Sequence, residues 1–117
     1  MAVTVLIVDD HAVFRASART MLEREGFDVV GEAADGESAL ELARELDPQV
    51  VLLDVALPDR SGFDVASQLA DERPKVILTS SRRQSDFGAR VSRSGALGFV
   101  PKDMLSGEAL HALLGDA

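Results

Sequence analysis

Hydrophobic and polar positions follow two rhythms along the chain. Short continuous apolar runs occur at Thr4–Val8, Val29–Ala33, Val50–Leu53 and Val76–Leu78, with a weaker one at Gly98–Val100. Runs of this length, rich in β-branched residues, predict strands of a parallel sheet covered on both faces. Between them the period becomes helical. Phe14, Ala18, Met21 and Leu22 share one stripe, which Gly26 is placed to end. Ala39, Leu42, Ala43 and Leu46 form a second stripe, with Asp35 as its predicted N-cap and Pro48 beyond its end. Phe63, Ala66, Leu69 and Ala70 make a third between Gly62 and Pro74, and Leu110, Leu113 and Leu114 a short terminal helix capped by Ser106. The remaining segment, Ser85–Ser94, is weak: it holds Gly88 and has Phe87, Ala89 and Val91 as its apolar contacts. An interior glycine costs about 1 kcal/mol against alanine, so a short or mobile element is expected there.

Strand–helix alternation of this kind predicts an α/β fold, a doubly wound five-stranded parallel sheet with helices on both faces. Right-handed crossovers favour a central first strand. Pro101 cannot donate to a ladder, which sends the fifth strand to an edge. The flavodoxin-like order 2-1-3-4-5 satisfies both conditions. The whole span 1–117 reads as one domain.

Charge and composition narrow the function. Twenty acidic residues against 12 Lys and Arg leave a formal charge of −8, a field that repels phosphate backbones and anionic lipid. Direct nucleic-acid binding and membrane binding by this chain are therefore not expected. Cysteine is absent, which removes disulfides, thiolate metal sites and a thiol nucleophile. The apolar run after Thr4 is far shorter than a signal or membrane helix, and a cytoplasmic setting is expected.

In a doubly wound sheet, function gathers beyond the carboxyl ends of the strands. The first strand ends in Asp9-Asp10, the third in Asp54, the fourth in Thr79-Ser80, and Lys102 follows the fifth. Three carboxylates, a hydroxyl and an ammonium converge on one edge from four separate strands. Like charges raise one another's pKa, and a hard dication relieves the crowding. Magnesium binds through one or two carboxylates plus phosphate oxygens, and an all-oxygen set suits it better than softer metals. A carboxylate beside such an ion and a lysine can act as nucleophile toward phosphorus. Each residue also has a plainer role. Asp9-Asp10 could cap the following helix, Asp54 a turn before Pro58, and Lys102 could be a solvated surface residue. His11 and His111 are expected on the exposed surface.

Leu6-Ile7-Val8-Asp9-Asp10-His11, Val51 to Gly62, Val76-Ile77-Leu78-Thr79-Ser80 and Gly98 to Asp103 together resemble the receiver domains of two-component response regulators. The branch most resembled is the one whose receivers precede a LuxR-type helix-turn-helix domain. The resemblance implies that Asp54 is phosphorylated by a sensor histidine kinase. It further implies that Asp10, Asp54 and the Ala56 backbone carbonyl hold Mg²⁺, with Asp9 acting through water. Lys102 would meet the phosphoryl group, Ser80 would be the switch hydroxyl and Phe99 the aromatic that moves with it. The surface of the fourth helix, fifth strand and fifth helix would then change, with homodimerisation on phosphorylation one outcome. Ala56 and Arg82 stand at positions that tune phosphoryl lifetime in the family; alanine orients no water, which implies a long-lived phosphoryl group. Asp103 follows Lys102 where many relatives have proline, so no cis bond is expected there. Two rivals remain open: an aspartate-nucleophile phosphohydrolase, which would want an acid where Ala56 stands, and an interaction module that works without phosphorylation.

Overall fold

The computed structural model describes residues 2–115; Met1, Asp116 and Ala117 of the expected 1–117 domain lie outside them. Strands β1 (Thr4–Val8), β2 (Asp28–Ala33), β3 (Val50–Asp54), β4 (Lys75–Ser80) and β5 (Gly98–Pro101) alternate with helices α1 (Ala12–Arg24), α2 (Gly36–Leu46), α3 (Gly62–Leu69), α4 (Arg90–Arg93) and α5 (Gly107–Leu114). The sheet order is β2-β1-β3-β4-β5, and every pairing is parallel. β1 is flanked on both sides and β5 forms an edge, as expected from the crossover rule and Pro101.

The two faces of the sheet bury separate apolar layers. Leu6, Val8, Val51, Leu53, Leu78 and Phe99 face α2, α3 and α4. Val5, Ile7, Val50, Leu52, Ile77 and Val100 face α1 and α5, meeting Ala18, Leu22 and Leu110. Adjacent residues of each strand thus supply opposite layers, the period of two that a pleated strand imposes. Burying each such Leu or Ile side chain contributes on the order of 2 kcal/mol.

Helix ends follow local chemistry. Asp35 Oδ1 accepts from Ser38 N at 2.7 Å to open α2, and Ser106 Oγ accepts from Ala109 N at 3.0 Å to open α5. α1 stops just before Gly26, whose φ of +93° suits a residue without Cβ. The residue that opens α1 is His11, with no side-chain cap, so neither Asp9 nor Asp10 serves as its N-cap. β4 runs beyond the expected Leu78 to include Thr79 and Ser80.

The weak segment is short, as expected. A 3₁₀ turn at Gln84–Phe87 breaks at Gly88 (φ +57°) before the single turn of α4. Phe87 is half-buried between Phe63 and Phe99, with ring centroids 5.5 Å and 5.8 Å away. His111 departs from expectation: its ring stacks on Phe27 at 4.7 Å and is half-buried rather than exposed. No cis peptide occurs among the described residues, including after Lys102.

Candidate functional site

The acidic residues gather where β1 and β3 end. Asp9 follows the last residue of β1 and Asp54 closes β3, two neighbouring strands in register at Val8 and Leu53. The Asp9 side chain is fully buried and that of Asp54 nearly so, while Asp10 is 37% exposed. One ligand atom from each of Asp9, Asp10, His11 and Asp54 lies within 4.8 Å of the others.

Lys102, from the turn after β5, reaches both buried acids. Its Nζ stands 2.6 Å from Asp9 Oδ2 as an ion contact and donates to Asp54 Oδ2 at 3.3 Å. The ammonium also lies 4.5 Å from the centroid of the Phe14 ring, so α1 helps to aim it. Asp54 Oδ1 accepts from Ala56 N at 3.2 Å, a turn in which the acceptor residue orders the start of its own loop. Arg15 Nη1 donates to the Asp9 carbonyl at 2.6 Å, and Arg15 and Arg19 both pair with Glu32 on β2. His11, though exposed, donates its backbone N–H to Asp9 Oδ1 at 2.8 Å and places Nδ1 2.9 Å from the same oxygen.

Burial pushes the Asp54 carboxyl above the usual carboxylate range, and the charge of Asp9 adds to that; Lys102 and the Ala56 N–H oppose it. For Lys102, burial works to lower the ammonium's pKa. Its contact with Asp9 and the charge of Asp54 outweigh that, so the net direction is upward. One cation thus serves two buried anions, leaving a local excess of negative charge beside the half-exposed Asp10. A second cation fits that imbalance. The donors are carboxylate oxygens with one imidazole at the rim, which suits magnesium.

The two hydroxyls at the end of β4 point to different faces. Thr79 is the ladder partner of Asp54 and shares its side of the sheet with Ile77 and Leu52. Its hydroxyl is buried and makes no hydrogen bond. Ser80 is one residue further and faces the other way; its Oγ accepts from Arg82 N at 3.0 Å. Ser80 thus closes β4 at the same carboxyl edge of the sheet, and Thr79 stands beside Asp54 in the ladder. Phe99 is buried on the Ser80 side, against Phe87. Arg15 and His11 are the neighbours of Asp9 that strand-end logic missed. The spacing of Arg15 and Arg19, one helical turn apart, was the available signal for the first.

A five-stranded doubly wound sheet with buried acids and a lysine at its carboxyl edge defines the class of CheY-like folds. The model of the response regulator receiver domain matches residues 5–114, and the chain belongs to that family, a component of two-component systems. The Mycobacterium tuberculosis transcriptional regulatory protein PdtaR is 39% identical over 93% of this chain and 54% of its own length. The transcription regulator BvgA of Bordetella pertussis is 39% identical over 97% of this chain and 53% of its own. This chain thus spans about half the length of these curated relatives. Among solved structures, the NarL receiver domain of Mycobacterium tuberculosis superposes with a TM-score of 0.85 at 34% identity, covering 97% of this chain and 94% of that one. A LuxR-family regulator from Aurantimonas reaches 0.87 at 29% identity, covering 99% and 88%. Receivers of this family act in signalling and bind Mg²⁺ at an acidic pocket. No helix among the described residues is long and apolar enough to cross a membrane.

Proposed function

We propose that this chain accepts a phosphoryl group on Asp54 from a sensor histidine kinase and changes the surface of α4, β5 and α5 in response. The observation that carries the reading is the buried Asp9–Lys102–Asp54 arrangement, with Lys102 shared between two acids at 2.6 and 3.3 Å. In the transfer, an Asp54 oxygen forms a P–O bond as the donor's P–N bond breaks, and the imidazole departs with the electron pair. Lys102 is placed to neutralise the arriving phosphoryl oxygens, and Asp9 to keep Lys102 in position. Asp10, Asp54 and the Ala56 carbonyl are the groups that would hold magnesium, with Asp9 reaching it through water. When bound, the ion supplies charge neutralisation to the transferring group.

The coupling hydroxyl in this reading is Ser80. Its Oγ accepts from Arg82 N, which leaves its own O–H to donate to a phosphoryl oxygen on Asp54. Thr79, the ladder partner of Asp54 with a buried hydroxyl that makes no hydrogen bond, is the second candidate. Movement of Ser80 would shift the end of β4 and with it the Phe99–Phe87 contact on the same face of the sheet. The exposed run that follows, with Arg82, Arg83, Arg90 and Arg93, is the surface offered to an output domain or to a second copy after phosphorylation.

Intact mass after incubation with acetyl phosphate and Mg²⁺ tests the assignment. Wild type gains one phosphoryl group, and Asp54→Asn gains none; a wild type that never gains it ends the reading and leaves the phosphorylation-independent module. With the same donor, Ser80→Ala keeps the mass gain but loses phosphorylation-induced amide shifts in residues 81–99, while Thr79→Ala keeps both. The reverse pattern moves the role to Thr79. Ala56→Asn shortens the phosphoryl lifetime if the small side chain is what protects it; equal lifetimes remove that idea.

A further inference from the structure

The loop after Asp54, residues 56–61, is tied at both its base and its tip. At the base, Ala56 and Ser61 form an antiparallel bridge, and Gly62 N donates to Val55 O at 2.6 Å. A Cβ at Gly62 would fall 2.2 Å from Asp54 O, so the loop closes directly on the acceptor's own backbone. At the tip, Asp59 leaves its own element and grips α2. Its Oδ1 accepts from Gly36 N at 2.8 Å and its Oδ2 from Glu37 N at 3.0 Å. These are free N–H groups of the first helical turn, where a carboxylate is favoured by the helix dipole as well. The Gly36 N–H holds the Asp59 carboxyl below the usual carboxylate range. The neighbouring Arg60 stem lies against Gly36, where a Cβ would come 2.6 Å from Cγ.

α2 already has a cap of its own, Asp35. A second carboxylate, brought from 23 residues away, adds a long-range tie to a helix end that is already served. What it does uniquely is fix the loop. We propose that Asp59 is a positioning residue of the phosphoacceptor site, pinning the 56–61 loop to α2 so that the Ala56 carbonyl stays aimed at the cation. This rests on the metal site named in the preceding section. A loop free at its tip would hold that carbonyl in several orientations, and each binding event would have to order it.

The two caps of α2 make the test. Asp35→Ala and Asp59→Ala both uncap the same helix, but the second alone releases the loop. Magnesium affinity is measured by calorimetry with MgCl₂ at a temperature where each variant is folded, and unfolding midpoints are recorded without metal. Both variants lower the midpoint. Asp59→Ala weakens magnesium binding roughly 10-fold, the scale of lost outer-shell partners, and Asp35→Ala leaves it unchanged. Asp59→Asn keeps one acceptor oxygen and falls between wild type and Asp59→Ala, which supplies the ordering should the alanine variant not fold. Unchanged affinity in the Asp59 variants, or equal weakening by Asp35→Ala, overturns the proposal. A wild type that binds no magnesium removes the metal site itself, a separate and recognisable failure.

Discussion

α2 and the 84–93 segment pack on the same face of the sheet and are built in opposite ways. α2 runs 11 residues, carries two carboxylates on its first turn and buries Ala39, Leu40 and Ala43. The 84–93 segment is two short helical turns hinged at Gly88, with Val91 its one fully buried apolar side chain and Phe87 half in. The difference teaches where rigidity is needed. The helix that holds the acceptor loop is fixed at its first turn and along its buried face, whereas the element beyond β4, where a response must be expressed, has few buried contacts and opens at low free energy.

The comparison can be broken by mutation. Leu40→Ala leaves a cavity under α2 and is expected to lower unfolding free energy by about 3 kcal/mol in urea titration. Phe87→Ala, half-exposed on a pliable support, is expected to cost about 1 kcal/mol. Equal costs would mean that both elements are equally locked. Next in size is the site. Because the folded-state Asp54 carboxyl sits above its unfolded value, the folded protein binds this proton more tightly. Stability therefore falls as pH rises from the ordinary carboxylate value through the raised one, and levels off above it. Asp54→Asn should flatten that decline and raise Tm near neutral pH, read by thermal unfolding across the pH range. A variant less stable than wild type at pH 7 would show that the Lys102 contacts outweigh burial. The smallest effect is at the surface: Arg90, 4.4 Å from the Phe63 ring centroid, contributes about 0.5 kcal/mol, read as the loss in Arg90→Ala.

Much of the fold was legible because the strands are continuous apolar runs. Thr4–Val8 has the expected bounds, and β3 differs by including Asp54. Asp9, Asp54 and Lys102 were legible for the same reason, since each stands where an apolar run stops. The facing of the two hydroxyls was not. An apolar run that stops at Leu78 does not say which face of the sheet Thr79 and Ser80 take. Two more residues of strand restore the alternation and put them on opposite faces. His111 and Asp59 were missed for another reason: their partners, Phe27 and the α2 N-terminus, lie far away in sequence and carry no local signature.

The outer margin of β5 has a consequence for assembly. That strand is four residues long and finishes in a proline, which offers no N–H to an incoming chain. Zipper-like growth of the sheet from this border is blocked near the acceptor. Any companion arriving on that flank has to be gripped by side chains, whose identity and charge can be tuned, instead of by the sequence-blind pairing of main chains.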